Sequence, residues 1–103
     1  MRLNDVRGLL IDALESGRVQ HEYRADMESK NLLATGEVTP EFVVQLLQRC
    51  NGRQYKATPY HYDPRIVCHT FTPTFQGKRW YVKSYFLSSD AVFISVHPQQ
   101  EEG

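Results

Sequence analysis

The side chains best suited to chemistry lie in residues 78–86, where cationic and aromatic residues alternate with apolar ones. If this segment is a β-strand, its side chains alternate between two faces. One face then suits a core, and it holds Trp80, Val82 and Phe86. The other face carries two cations and two phenols: Arg79, Tyr81, Lys83 and Tyr85. Because cations bind phosphates and aromatic rings stack on bases, this face indicates a nucleic-acid surface, with an ordinary solvated strand face as the alternative.

The chemistry that such a face suits is the cleavage of RNA without a metal. A base removes the proton of the ribose 2′-hydroxyl, cations stabilise the charged phosphorane, and an acid protonates the leaving oxygen. The 2′-hydroxyl is itself the nucleophile, so the protein does not have to supply one. Side chains of the required types occur throughout the second half of the chain: Lys56, His61, His69, Arg79, Tyr81, Lys83 and His97.

Other kinds of site fit the sequence less well. A zinc site could draw on five residues, namely His61, Asp63, Cys68, His69 and His97. Cys68 and His69 are neighbours, however, and neighbouring side chains in a strand point to opposite faces. The same argument disfavours a cysteine nucleophile at Cys68 activated by His69. A glycine-rich phosphate loop and a serine-centred elbow are both missing from the sequence.

Charge is distributed unevenly along the chain, although the net charge is zero. Residues 51–87 carry +5, residues 1–50 carry −2, and the residues from 88 onward carry −3. This pattern favours a local site for a polyanion over a protein that coats DNA. The two cysteines, Cys50 and Cys68, are too few for a disulfide scaffold. We find no apolar run that would span a membrane and no signal-peptide pattern, so we expect a cytoplasmic protein.

Three helices are predicted in the first half, over residues 2–16, 25–34 and about 40–49. Asn4 or Asp5 is the candidate cap of the first helix, and Gly17 is its candidate stop. Thr39 followed by Pro40 is typical of a helix start. Residues 19–23 are too short and mixed to assign.

Four strands are predicted in the second half, over residues 54–60, 66–72, 79–87 and 91–97. Alternation in the last strand directs Val92, Ile94 and Val96 inward, and directs Phe93, Ser95 and His97 outward. The short links between the strands predict an antiparallel meander. We therefore expect one α+β domain over residues 1–103, with helices packed on an antiparallel sheet of four or more strands. Its first 50 residues are mainly helical, residues 53–97 form the sheet, and residues 98–103 form a frayed tail.

Four pieces of the second half follow the order and spacing of a known family. They are Tyr55-Lys56, the strand 66–71 followed by Pro73, the segment Gly77…Trp80-Tyr81-Val82-Lys83, and residues 90–96. Together they resemble the motility quorum-sensing regulator (MqsR) toxins, over residues 54–97 and, in pattern alone, over the helices of residues 3–47. The resemblance implies a fold like that of the RelE toxins. It also implies an endoribonuclease of a bacterial type II toxin–antitoxin system, with a cognate antitoxin as its partner.

The resemblance also assigns individual residues. The family's active-site lysine, its tyrosine and the lysine after that tyrosine fall on Lys56, Tyr81 and Lys83. The chain departs from the family at two positions, with Cys68 in place of a glutamine and His97 in place of a lysine. A histidine at the second position is suited to act as a general acid or base.

These arguments lead to one leading hypothesis, a metal-independent endoribonuclease toxin that cleaves mRNA and needs no cofactor. The predicted catalytic residues are Lys56, Tyr81 and His97. The predicted RNA- and phosphate-binding residues are Arg79, Lys83, Tyr85 and His69. Two alternatives stay open, a catalytically silent RNA- or protein-binding module on the same scaffold and a zinc-containing regulator.

Overall fold

The computed structural model describes residues 2–99. Within this range the chain forms four α-helices, one short 3₁₀ helix and six β-strands. In chain order these are α1 (Leu3–Ser16), β1 (Val19–His21), α2 (Met27–Lys30), α3 (Leu32–Thr35), α4 (Pro40–Gln48), the 3₁₀ helix Gly52–Gln54, β2 (Tyr55–Pro59), β3 (Val67–Phe71), β4 (Thr74–Phe75), β5 (Lys78–Leu87) and β6 (Asp90–Pro98).

The strands form a mixed sheet in the order β1-β6-β5-β3-β2, and the short β4 pairs with β5. The strands β2, β3, β5 and β6 are antiparallel neighbours, which confirms the predicted meander and the α+β class. The sequence did not predict β1, which extends the sheet by pairing in parallel with β6, Val19 beside Ala91.

The helices cover one face of this sheet. Their buried residues recur at helical spacing, with Val6 and Leu10 in α1 and Val43 and Leu47 in α4. They share one apolar core with sheet residues that point the same way, including Phe71, Val82, Phe93 and Val96. The core residues of α1, α3 and α4 lie on this face, whereas the small apolar cluster on the opposite face (Tyr60, Cys68 and Ile94) includes no residue of the helices described within residues 2–99.

The ends of two helices follow their sequence signals. Gly17 ends α1 in the left-handed conformation (φ 73°), where a residue without a Cβ is favoured. The Thr39 hydroxyl oxygen accepts the Phe42 backbone N–H at 3.1 Å, which confirms the predicted start of α4. The predicted cap of α1 is wrong, because Arg2 occupies the N-cap position and the Asp5 carboxylate accepts the Arg2 N–H from within the first turn.

The helix predicted over residues 25–34 is divided into α2 and α3 at Asn31. The Asn31 side chain is fully buried and forms three hydrogen bonds. Its oxygen accepts the Ala34 N–H at 3.1 Å, and its amide nitrogen donates to the Phe93 carbonyl and to His21 Nδ1, both at 3.2 Å. These bonds fix the backbone at φ −132°, outside the helical region, and so interrupt the helix.

Because β6 contains a bulge, the predicted faces of Phe93 and Ile94 are wrong. Lys83 lies opposite Ser95, but the next residue, Ser84, lies opposite Phe93, so Ile94 is extra. One extra residue reverses the alternation beyond it. Phe93 therefore enters the helix-covered core, whereas Ile94 lies in a separate apolar cluster outside that core.

Pro98 and Gln99, which were predicted to belong to a frayed tail, are bound to the sheet instead. Pro98 belongs to β6, and the Gln99 N–H donates to the Arg79 carbonyl at 2.7 Å. Residues 100–103, the rest of the predicted tail, lie outside the described residues.

Candidate nucleic-acid site

The helix-free face of the sheet brings together the side chains that were predicted to be catalytic. Lys56 of β2 lies opposite Thr70 of β3, and Thr70 lies opposite Lys83 of β5. Side chains of directly opposed residues share a face, so these three form one row across the sheet. The two lysine backbones are two strand spacings apart, roughly 10 Å, which long side chains can bridge.

Tyr81 and His97 form the neighbouring row. They are directly opposed on β5 and β6, and their rings stack with centroids 5.3 Å apart and planes inclined by 25°. Tyr81 precedes Lys83 by two residues on the same strand, so both rows project from the same face. The structure thus gathers Lys56, Lys83, Tyr81 and His97 on one surface.

A groove of about 340 Å³ runs along this surface beside β2. Nine residues line it: Arg53, Gln54, Tyr55, Lys56, Thr58, Thr70, Thr72, Tyr81 and Lys83. Three of these are cations and none is acidic, so the groove favours an anion. The ring of Tyr55 lies on the helix-covered face, but the other five residues carry hydroxyls or an amide that can donate hydrogen bonds to phosphate and sugar oxygens.

The imidazole of His97 is oriented by its own chain. Its Nδ1 lies 2.8 Å from the carbonyl oxygen of Pro98. A carbonyl can only accept a hydrogen bond, so Nδ1 carries the proton and the lone pair is on Nε2. The ring therefore offers a hydrogen-bond and proton acceptor beside Tyr81.

Arg79 lies near the start of β5, on the same face as Tyr81 and Lys83. It is exposed and opposes Thr74 of β4, two residues before Tyr81. It is not among the residues that line the groove. Arg79 is thus a cation on the approach to the groove.

His69 does not lie where the sequence predicted it. It points to the helix-covered face, is only 4% exposed, and stacks on Tyr55, whose hydroxyl lies 2.7 Å from His69 Nδ1. Burial lowers the pKa of His69 and raises the pKa of Tyr55. The assignment of His69 to the RNA-binding face is therefore corrected, because the sheet separates it from Lys56 and Lys83.

Tyr85 lies on the same face as the groove, but half-buried. Its ring contacts Tyr60, with centroids 4.7 Å apart. Tyr60, Cys68 and Ile94 form a small apolar cluster on this face, against which Tyr85 and Ile66 pack. Burial raises the pKa of Tyr85 and of the Cys68 thiol. Part of the Tyr85 surface that was predicted to meet a base is therefore already covered by Tyr60.

Sequence reasoning missed the neutral residues of the groove. Thr70 and Thr72 alternate with Phe71, and Gln54 and Thr58 are each two residues from Lys56. The same period-2 argument that selected Tyr81 and Lys83 would have found them, had it been applied to the predicted strands 54–60 and 66–72.

Within residues 2–99, no three His, Cys, Asp or Glu side chains come close enough together to hold a metal ion. Cys68 and His69 point to opposite faces of β3, as alternation predicted. Over the same range, none of the helices has both the length and the apolar character needed to cross a membrane.

A scan of the chain against protein-family models finds no match, and a search of the curated proteins also finds none. The resemblance to MqsR toxins therefore stays a prediction that rests on the residues quoted above.

Proposed function

We propose that this protein is a metal-independent endoribonuclease that binds and cleaves RNA in the groove beside β2. The observation that carries the proposal is the grouping of Lys56, Lys83, Tyr81 and His97 on one face, next to a groove without an acidic side chain. This set contains a cationic pair for a phosphate, a proton acceptor and a proton donor, which is what the reaction requires.

In the proposed mechanism the scissile phosphate lies between Lys56 and Lys83. Their ammonium groups stabilise the additional negative charge of the phosphorane, and the Thr70 hydroxyl between them donates to a phosphate oxygen. Arg53, on the wall of the groove, binds a neighbouring phosphate. The lysines supply the positive charge at the reacting phosphate, so the mechanism needs no metal.

In the proposed mechanism, the stacked pair of Tyr81 and His97 carries out the proton transfers. His97 Nε2 removes the proton of the ribose 2′-hydroxyl, and the 2′-oxygen attacks the adjacent phosphorus. The bond from phosphorus to the 5′-oxygen of the next nucleotide breaks, and the Tyr81 hydroxyl donates a proton to that oxygen. The products are a 2′,3′-cyclic phosphate and a free 5′-hydroxyl.

The resemblance to MqsR toxins adds the biological setting. It supports mRNA as the substrate, the cytoplasm as the location, and a cognate antitoxin as the partner that restrains the enzyme.

A second candidate is a module of the same fold that binds RNA without cleaving it. One observation favours it: Cys68, at the position of the family's glutamine, is buried with Tyr60 and Ile94. Cys68 therefore gives the groove none of the hydrogen bonds that a glutamine would supply.

The experiment is a cleavage assay in EDTA on an end-labelled, unstructured RNA, with chemical mapping of the new ends. We expect the parent protein to leave cyclic phosphates, and we expect Tyr81→Phe and Lys56→Ala each to lower the cleavage rate by about 10²-fold or more. Tyr23→Phe and Lys30→Ala are matched controls, because both residues are exposed and lie outside the groove.

The outcomes separate the two candidates. Salt-sensitive RNA binding without cleavage at any protein concentration would refute the enzyme and leave the silent module. Cleavage that both active-site variants retain would move the reaction to another site. A protein that neither binds nor cleaves RNA would contradict both candidates.

A further inference from the structure

Three tyrosines form a cluster at the end of the groove. Tyr60 contacts Tyr85 at 4.7 Å between ring centroids and contacts Tyr62 at 5.6 Å. We call Tyr60, Tyr62 and Tyr85 the tyrosine cluster. Tyr60 thus joins a loop tyrosine to a tyrosine of β5, and a group of contacting aromatic rings is a characteristic platform for unpaired bases.

The cluster is continuous with the groove. Tyr85 follows Lys83 by two residues on β5, a rise of roughly 7 Å. Thr58, which lines the groove, lies opposite Cys68, which packs beneath Tyr60. A nucleotide next to the phosphate held by Lys83 is therefore within reach of the cluster.

The loop that carries Tyr60 and Tyr62 is held by hydrogen bonds at both ends. The Tyr60 N–H donates to the Ile66 carbonyl at 2.8 Å, and the Ile66 N–H donates to the Asp63 carbonyl at 2.9 Å. The Tyr60 hydroxyl donates to the Glu22 carboxylate, which ties the loop to the chain after β1. A fixed aromatic ring loses little entropy when it binds a ligand.

The acidic residues nearest the cluster have cationic partners. Glu22 accepts from Arg24 at 2.7 Å. Asp63 accepts from the Arg65 guanidinium through both of its oxygens, each at 3.0 Å. These pairs reduce the repulsion that a polyanion would otherwise meet at this end of the groove.

Tyr62 is the member of the cluster that is open to a ligand, with 73% of its surface exposed. Its ring meets Tyr60 at 70° and His61 at 78°, so neither neighbour is stacked parallel to it. Tyr60, by contrast, is buried, and Tyr85 is half-buried against it.

We infer that the groove takes single-stranded RNA, and that Tyr62 stacks on the base of a nucleotide next to the bound phosphate, with its ring positioned by Tyr60, which itself packs on Tyr85. This inference rests on the proposed function and narrows its substrate class. Bases in a duplex are stacked on each other and not available to an aromatic side chain, whereas bases in a single strand are.

The test measures the binding of three probes in the Tyr81→Phe background, which keeps the RNA intact. The probes are a short single-stranded oligoadenylate, an abasic oligonucleotide of the same length and charge, and an RNA duplex. We expect Tyr62→Ala to weaken oligoadenylate binding roughly tenfold and to leave abasic binding unchanged. Tyr62→Phe keeps the aromatic ring, so it should bind the oligoadenylate as tightly as the Tyr81→Phe background does.

Two further variants separate this inference from the proposed function. Lys83→Ala removes a proposed contact to phosphate. We expect it to weaken the binding of both single-stranded probes and to make their binding less dependent on salt. Tyr23→Ala removes a tyrosine that is 87% exposed and is the matched control for Tyr62→Ala.

Suppose that Lys83→Ala weakens binding, but Tyr62→Ala lowers the affinity for both single-stranded probes equally or for neither. The stacking role of Tyr62 is then wrong, and the proposed RNA site in the groove is retained. Equal affinity for duplex and single strand would also overturn the inference. If no probe shows salt-sensitive binding, both the inference and the proposed RNA site are refuted.

Discussion

The Tyr81–His97 pair shows how a strand end can prepare a side chain for proton transfer. Cross-strand pairing sets the distance between the two rings, and the Pro98 carbonyl fixes the Nδ1 proton of His97. In the proposed mechanism, the nitrogen that takes the proton is therefore determined by the bond between Nδ1 and a backbone carbonyl. If the proposed reaction takes place here, a ring held in this way needs no reorganisation when the 2′-hydroxyl binds.

At this scale we predict that His97→Ala lowers kcat by roughly 10²-fold or more, because the proton acceptor is lost. His97→Lys introduces the residue of the resembling family and should retain cleavage with a pH–rate profile displaced to higher pH. The reason is that a lysine ammonium gives up its proton at higher pH than an imidazolium. Single-turnover cleavage across a pH series measures both effects.

The matched control is His61→Ala, which removes an exposed histidine of the loop between β2 and β3, away from the strand pair that carries Tyr81 and His97. It should leave kcat unchanged. Unaltered kcat in His97→Ala would exclude His97 as the base.

Some groove residues were predictable from the sequence and others were not. Period-2 alternation correctly put Tyr81 and Lys83 on one face, because β5 itself is regular. His69 was misassigned although a signal was present: it is two residues from Phe71, whose size and apolar character mark the core face of β3. Since Cys68 and His69 point opposite ways, the position of Phe71 decides which of them faces the groove.

Asn31 has the largest influence on the elements of the first half. Its three side-chain bonds connect the start of α3, the edge strand β1 and the bulged part of β6. Because its oxygen is engaged by the Ala34 N–H, its amide must donate to His21, so His21 Nδ1 is unprotonated. This single residue thus breaks a helix and aligns two strands.

We predict that Asn31→Ala lowers the free energy of unfolding by about 2–3 kcal/mol, since it leaves the partly buried His21 Nδ1 without its donor and the Phe93 carbonyl with one donor fewer. Urea denaturation followed by circular dichroism measures the change. Asn4→Ala, which removes a single exposed bond to Arg7, is the matched control and should cost less than 1 kcal/mol. Equal losses in the two variants would contradict the central role of Asn31.

Local sequence signals could not have revealed the interruption at Asn31 or the bulge at Ile94. Helix propensity over residues 25–34 is adequate, and the interruption comes from partners at residues 21 and 93. The bulge is likewise a property of the pairing between β5 and β6. In contrast, Thr39-Pro40 and Gly17 act within one turn of the chain, so their signals were sufficient.

For the molecule as a whole, the histidines whose burial affects stability are not the histidine of the proposed RNA site. His21 and His69 are on the helix-covered side of the sheet, where burial lowers the pKa of each below the ordinary histidine value of 6.5. His97 is on the groove side, in contact with Tyr81. Acid can therefore weaken the fold through residues that take no part in the proposed reaction.

We predict that the free energy of unfolding falls as the pH is lowered below about 6.5. In the unfolded chain His21 and His69 take up protons near that pH, whereas in the folded protein they stay neutral until the pH is lower. The unfolded state then binds more protons, so stability is fully present above this window and is lost as the pH falls through it. Urea unfolding between pH 7.5 and 5, on roughly half-unit steps, measures the slope.

His69→Gln serves as the comparison, because an amide can still bond to the Tyr55 hydroxyl but does not titrate. This variant should have a shallower dependence on pH than the parent protein. An identical slope would remove His69 from the explanation.

The parallel pairing of β1 with β6 has a consequence for how the chain folds as it is made. Residues 19 and 91 are far apart in the sequence, so their pairing has high contact order, which slows its formation. A nascent chain emerges from the ribosome N-terminus first, and β1 has no strand partner until β6 has followed it. His97 emerges later still, and the stacked pair cannot exist before it does. An enzyme of the proposed kind is therefore inert toward its own message until translation has passed the last strand.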